Sequence, residues 1–366
     1  MRSAMKFMIG VSFAALALAG PAVAEVGAKW DPNYEPPRMA DGTPSLQGIW
    51  TNASLTVLER DAPFEALVVP EAVAVAVETG AMAMKNADNA PTDPDAPAPE
   101  AGGAGVGGYN TFWMDYGTKV ARINGEVRTS WITEPENGKL PWSKYGTEHL
   151  ANLRKSFGEN MNDPEIRSSG ERCTVGFGST GGPPMLNVLY NNNYQIVQEP
   201  DTVAILVEMN HNTRLVRIDD EHRPANMQGW LGDSVGKWEG DTLVVHSTNF
   251  HPGNAYRGAI RHRIYLTDDA EVIERFTRVS DEEIFYEFEV TDLEIYDQTW
   301  KGEMTLRAAE GPIYEYACHE ANYSLPGILG GARKAEADAA AAKAKEAVMG
   351  DTTTTKRTVT RTYVKK

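Results

Sequence analysis

The sequence predicts a mainly β protein, in which antiparallel strands joined by tight turns form an up-and-down barrel or a sandwich. From about residue 186 to 316, β-forming segments follow one another without a helical segment between them. Turn-forming residues such as Glu239-Gly240-Asp241 and Ser280-Asp281 separate these segments. Consecutive strands linked in this way are typical of both architectures.

Alternation within single segments indicates a sheet with one buried and one solvated face. Ile284, Tyr286 and Phe288 fall on one face of their segment, whereas Glu287 and Glu289 fall on the other. The strands are predicted over residues 45–51, 194–198, 203–209, 214–218, 236–239, 242–248, 260–266, 271–279, 283–290, 299–308 and 313–318.

Helices are predicted only at the periphery, over 70–84, 144–157 and the Ala-rich stretch 335–348. Residues 25–330 are expected to form a single barrel domain, interrupted by a low-complexity loop at 86–108. The segment 109–145 is rich in aromatic residues, which we expect to line or cap a ligand site. Residues 331–366 are predicted to be the Ala-rich helix followed by a disordered, Thr-rich tail.

The first 24 residues have the pattern of a secretory signal peptide. Arg2 and Lys6 precede an apolar run, and Ala22-Val23-Ala24 forms a small-x-small cleavage site. An uncleaved anchor is the alternative, but the run is shorter than the about 20 residues that a spanning helix needs. We therefore expect a periplasmic protein that does not insert into a membrane after signal cleavage.

The charge balance and the missing motifs narrow the classes of partner. A formal net charge of −16 disfavours nucleic acid as a partner. The sequence has no phosphate-loop motif, and its histidine spacing matches no strong metal pattern. We expect a small-molecule substrate or ligand, no cofactor and no bound metal.

Cys173 and Cys318 are the two cysteines of the chain. In an oxidising compartment such a pair is predicted to form a disulfide. Two separate buried thiols are the alternative.

Two polar clusters are candidates for substrate contact. Asn193 and Tyr194 can orient a polar substrate, although an asparagine-rich turn is the alternative. In the segment 208–214, His211 is a candidate general base and Arg214 a candidate group for holding a carboxylate or an oxyanion. The alternative for this segment is a polar hairpin tip.

Two further residues are candidates for the functional site because of the residues next to them in the sequence. Asp233 comes after an expected core tryptophan, Trp230. His319 follows Cys318, so a disulfide would hold it rigidly, although a structural histidine at the barrel rim is the alternative. A zinc-protease motif starting at His319 would need a histidine at position 323, where Tyr323 stands.

Several sequence blocks together resemble a large, poorly characterised family of exported proteobacterial proteins. The resemblance covers nearly all of residues 40–330, and it implies a lipocalin-like barrel. The blocks are residues 44–51, 128–130, 171–173, 193–198, 230–234, 238–245 and 316–323.

These observations predict a cofactor-independent enzyme, a lyase or isomerase, that acts on a small aromatic molecule in a barrel cavity. The resemblance makes lignin-derived aromatics one expected substrate class. The candidate catalytic residues are His211, His319 and Asp233, of which His211 or His319 would move a proton. The candidate substrate-binding residues are Arg128, Arg214, Asn193, Tyr194 and Tyr323. A non-catalytic carrier of a small hydrophobic ligand is the alternative.

Overall fold

The computed structural model describes residues 27–89, 95, 114–159, 161–177, 180–320 and 322–362. The predicted signal peptide and most of the predicted low-complexity loop lie outside these residues, as do Tyr109, Phe112 and Trp113.

The described residues contain three α-helices, α1 (Glu71–Asp88), α2 (Lys144–Glu159) and α3 (Ser324–Thr362). No helix among them is both long enough and apolar enough to cross a bilayer. Their strands are β1 (Gly48–Thr51), β2 (Val68–Val69), β3 (Arg122–Ile123), β4 (Glu126–Arg128), β5 (Ile132–Glu134), β6 (Asn193–Glu199), β7 (Thr202–Val207), β8 (Thr213–Ile218), β9 (Asp233–Glu239), β10 (Thr242–Thr248), β11 (Tyr256–Gly258), β12 (Arg263–Tyr265), β13 (Glu271–Arg278), β14 (Glu283–Thr291) and β15 (Trp300–Ala308).

Nine of these strands close into a barrel. Their order is β1-β6-β7-β8-β9-β10-β13-β14-β15, and β15 pairs back with β1 through Trp50 and Ala308. Strand β5 pairs with β15 at Lys301 and Gly302. The predicted mainly β fold with a barrel is therefore confirmed.

The barrel contains both parallel and antiparallel strand pairs, so the chain does not follow a purely up-and-down path. Strands β8 and β9 run parallel, with Val216 opposite Ser234, whereas the other barrel pairs are antiparallel. Residues 219–232 connect the two strands, which is long enough for the crossover that a parallel pair requires. By contrast, a tight turn at Gly240, with a φ of +62°, joins β9 to β10 in the predicted hairpin.

Side chains fill the interior of the barrel, in which the sequence predicted a ligand cavity. Tyr286, Phe288 and Trp300 are among the fully buried side chains that pack there. Gly302 leaves room for the ring of Phe288, because an added Cβ would lie 2.3 Å from the ring. These buried side chains belong to one hydrophobic core cluster, so the described interior of the barrel is occupied by protein side chains.

The elements around the barrel differ from prediction at three places. Within the predicted strand 260–266, only Arg263–Tyr265 form a strand, β12, which pairs with β11, and Arg261 has a φ of +64° in the turn between the two. The predicted strand 313–318 is not a strand, and the segment crosses the outer surface instead. Helix α3 continues through residues 351–362, where the sequence favours a disordered tail.

Candidate functional site

A pocket of about 490 Å³ lies beside the end of the barrel at which β7 ends. Met209 and Asn210, which follow β7 directly, form part of its lining. The other lining residues come from segments 167–177, 188–190 and 256–263, with Phe157 of α2 and Tyr316. We call this space the barrel-end pocket.

Aromatic rings form two groups in the lining of the barrel-end pocket. Phe157 and Tyr256 meet edge to face, with ring centroids 5.5 Å apart. Phe177 meets Tyr190 in the same way at 5.6 Å, and Tyr190 stacks on Tyr316 at 6.3 Å. These spacings are those of favourable aromatic pairs, so the rings give the pocket part of its apolar surface.

The predicted disulfide is confirmed, and it ties two segments of the lining together. Cys173 and Cys318 are bonded, with Cα atoms 5.8 Å apart. The first lies in the lining segment 167–177, and the second lies two residues beyond Tyr316. Asn322 strengthens the same connection, because its Nδ2 donates to the carbonyl of Glu171 at 2.8 Å.

A second contact fixes the position of Phe177. The backbone N–H of Gly258 donates to the Phe177 carbonyl at 2.6 Å, which joins this loop to β11. The pocket wall is therefore assembled from segments that lie far apart in the sequence.

The charged residues of the lining are three arginines and one glutamate. Arg167 pairs with Glu171 at 2.7 Å, and Arg261 pairs with Asp61, outside the lining, at 3.0 Å. Arg263 instead donates to the Tyr256 hydroxyl and to backbone carbonyls. In the described part of the chain, Arg263 has no carboxylate partner.

His211 lies next to the pocket and does not line it. Its side chain is exposed, and its Nε2 accepts a hydrogen bond from the backbone N–H of Tyr316 at 2.9 Å. The imidazole faces a neighbouring outer groove lined by Ile313 and Tyr314. Through this hydrogen bond, His211 supports the backbone of the segment that carries Tyr316.

Asp233 is held in a separate, buried cluster on the outer side of β9. Its carboxylate accepts from Arg217 Nη1 at 2.7 Å, from the Arg223 N–H at 2.9 Å, and contacts His222 Nδ1 at 3.0 Å. Burial alone would raise the pKa of this carboxyl, but the hydrogen bonds from Arg217, Arg223 and His222 outweigh it and lower the pKa to about 2.

His319 and Tyr323 lie on the surface. His319 is exposed and Tyr323 is 82 % exposed, and neither lines the barrel-end pocket. The disulfide therefore positions Tyr316 at the pocket, whereas His319 points elsewhere.

Tyr194 and Arg214 are both buried in the barrel, each with partners of its own. The Tyr194 phenol accepts from Asn52 Nδ2 at 3.0 Å, and burial raises its pKa. Arg214 forms a buried ion pair with Glu274, with Nη1 3.0 Å from Oε1. The Tyr286 hydroxyl donates to the same Oε1 at 2.8 Å, so these groups satisfy one another.

Asn193 and Arg128 also have structural partners. Asn193 Nδ2 donates to Glu208 Oε2 at 2.7 Å. Arg128 pairs with Glu126 and Glu303, each at 3.2 Å. The structure thus does not gather His211, Asp233 and His319 around one cavity.

None of the candidate catalytic or substrate-binding residues predicted from the sequence lines the pocket. The aromatic segment 109–145 was expected to contact a ligand, yet Trp131 and Trp142 pack in or against the barrel core instead. A signal was present in Arg261-His262-Arg263, a basic run in an acidic chain. The contact of Arg263 with Tyr256 depends on the pairing of β11 with β12, and β11 lies outside the predicted strand 260–266.

Comparisons with known proteins do not assign the chain to a family. No protein-family model matches it, and the search of curated proteins gave no match. The resemblance to exported proteobacterial proteins stays a prediction, and the case for a function depends on the pocket itself.

Proposed function

We propose that this protein binds a small aromatic molecule in the barrel-end pocket. The observation that carries the proposal is the two groups of mutually packed aromatic rings around a space of about 490 Å³. Pockets for small molecules typically measure about 300–1,000 Å³ and combine apolar walls with a few polar groups.

The aromatic rings of the lining favour a flat, apolar guest. Phe177 and Tyr190 are only partly buried, so each has surface that a ligand would cover. Each aromatic contact contributes about 0.5–1.5 kcal/mol beyond the burial of its area. Two or three such contacts would add about 1–4.5 kcal/mol to the free energy gained by burying the ligand.

We propose the periplasm as the site of this function. The Cys173–Cys318 disulfide supports this assignment, because disulfides persist in oxidising compartments. The N-terminal sequence pattern points the same way.

Isothermal titration calorimetry with a panel of small phenols and aromatic acids tests the proposal. At least one compound should bind, and Phe177→Ala should weaken that binding by about tenfold or more. Phe285→Ala is the matched control, since this ring lies on the outer face of β14 against Trp30. The proposal is wrong if no compound binds, or if the two variants bind as the unaltered protein does.

A second candidate function is catalysis by a cofactor-independent lyase or isomerase in the same pocket. The specific observation is that Arg263 Nε donates to the Tyr256 hydroxyl oxygen at 2.8 Å. Tyr256 would give its proton to a substrate oxygen, and the adjacent guanidinium would stabilise the phenolate that remains.

Turnover of lignin-type phenols, followed by chromatography, tests this second candidate. Tyr256→Phe should keep the aromatic wall but lower turnover by about 10²-fold or more, a loss larger than its effect on ligand affinity. His211→Ala should lower turnover far less than Tyr256→Phe, because the imidazole does not line the pocket and contacts only the backbone N–H of Tyr316. The opposite pattern would favour His211 as the proton-transferring group and contradict the role of Tyr256.

A further inference from the structure

We infer that the ligand of the barrel-end pocket carries an oxyanion, held by the guanidinium of Arg263 and the hydroxyl of Tyr256. This inference rests on the proposed function, which it deepens by naming a substrate class, the aromatic anions.

The guanidinium of Arg263 is fixed before any ligand arrives. Its Nε donates to the Tyr256 hydroxyl at 2.8 Å, and its Nη1 donates to the carbonyls of His262 at 2.6 Å and Ala259 at 3.3 Å. Within the described residues, Nη2 makes no hydrogen bond and no carboxylate pairs with the side chain. A cation with fixed orientation and one unused nitrogen loses little entropy when it binds an anion.

The hairpin of β11 and β12 explains this arrangement. Gly258 lies directly opposite Arg263, and Tyr256 lies two residues earlier on the same face. Because Gly258 has no side chain, the Arg263 side chain can cross the hairpin diagonally to Tyr256. On the opposite face, Arg257 and Ile264 are buried.

The Tyr256 hydroxyl supplies a second donor at the same place. Its oxygen accepts from Arg263, and among the described residues it makes no other hydrogen bond. Its own hydrogen is therefore available to donate to an oxygen of the ligand.

The charges of the lining favour an anion over a cation. Arg167 and Arg261 are neutralised by Glu171 and Asp61, which leaves the charge of Arg263 uncompensated. This positive spot lies in a chain with a formal net charge of −16. A positive charge in an otherwise acidic protein attracts an anion to the part of the pocket where Arg263 lies.

Calorimetry with matched ligands tests the inference. An aromatic carboxylate, 4-hydroxybenzoate, should bind about tenfold or more tightly than its neutral amide, 4-hydroxybenzamide, and added salt should reduce the difference. Phenyl phosphate and benzenesulfonate form further arms, which distinguish a carboxylate from other oxyanions.

Two arginine variants locate the effect. Arg263→Gln should abolish the preference for the carboxylate, whereas Arg261→Gln should keep it, because Arg261 is already paired with Asp61. Tyr256→Phe should reduce the preference partially while the aromatic wall remains, which provides a second readout if Arg263→Gln does not fold.

The outcomes separate this inference from the proposed function. Equal affinity for the carboxylate and the amide, with both weakened by Phe177→Ala, would overturn the anion inference and leave aromatic binding intact. Loss of the preference in Arg261→Gln but not in Arg263→Gln would also overturn it. Absence of binding by every compound would overturn both proposals.

Discussion

Asp233 shows how one buried carboxylate connects several segments of the chain. Its partners His222 and Arg223 belong to the connection between β8 and β9, and Arg217 belongs to β8 itself. One buried carboxylate therefore holds the crossover that makes the β8–β9 pair parallel. Its pKa is low because these partners stabilise the ionised form.

Asp233→Asn is expected to lower the free energy of unfolding by about 2 kcal/mol at pH 7. The folded-state pKa of about 2 lies below the ordinary value of 3.8. The stabilisation by Asp233 is therefore fully present above pH 3.8 and is lost as the pH falls towards 2. Urea unfolding of both proteins at pH 7 and near pH 2 measures the difference.

Asp241→Asn is the control for this prediction. Asp241 pairs with Arg38 at 2.7 Å on the surface, where an ion pair contributes about 0–1 kcal/mol. An equal effect of the two substitutions, or an Asp233 effect that does not shrink in acid, would contradict the structural role of Asp233.

At the scale of elements, the disulfide and the β11–β12 hairpin build the pocket from chain segments that have little regular structure of their own. Cys173 and Cys318 are separated by 145 residues, yet the bond brings the loop 167–177 beside the segment that carries Tyr316. Loops of this kind keep a defined shape only where such cross-connections hold them.

The double variant Cys173→Ser and Cys318→Ser is expected to lose about 2–5 kcal/mol of unfolding free energy. It should also bind aromatic ligands more weakly, because the lining on either side of the bond is no longer held together. Thermal unfolding and calorimetry measure the two effects, and reduction of the unaltered protein should reproduce them. Unchanged affinity in the double variant would show that the disulfide does not shape the pocket.

The elements also show which parts of the fold local patterns can predict. The strands of the barrel were predicted well because alternation of buried and exposed residues is a property of neighbouring positions, as in β14. The segment 313–318 has a similar composition but no strand to pair with, since β15 already pairs with β1 and β14. Pairing is a property of the whole sheet, so composition alone does not reveal it.

At the scale of the whole molecule, the barrel interior is a core that includes one buried ion pair. Arg214 and Glu274 are both inaccessible to solvent, and Tyr286 completes the hydrogen bonds of the carboxylate. Breaking one member of such a pair is costly because the other charge stays buried, whereas replacing both can be nearly neutral.

Glu274→Gln is expected to destabilise the fold by about 3–5 kcal/mol. The double variant Arg214→Met and Glu274→Leu should recover most of this loss, since two apolar side chains replace two charges. Urea unfolding of the single and double variants gives the comparison. If the double variant is less stable than Glu274→Gln alone, the ion pair stabilises the core beyond the neutralisation of one buried charge by the other.

The candidate site was harder to predict than the barrel for a physical reason. Clusters of ionisable residues in the sequence, such as those around Arg214 and Asp233, proved to be satisfied by partners elsewhere in the chain. The pocket instead combines Phe177, Tyr256 and Tyr316, which no short motif connects. Only the closed fold brings them together.

The crystal structure of the protein with a bound aromatic carboxylate tests the central claim most directly. We predict that the ring lies in the barrel-end pocket against Phe177 or Tyr256, with the carboxylate at Arg263, and that the barrel core is unchanged. A ligand found among the core side chains of the barrel, or on the outer surface near His319 or Asp233, would contradict the account.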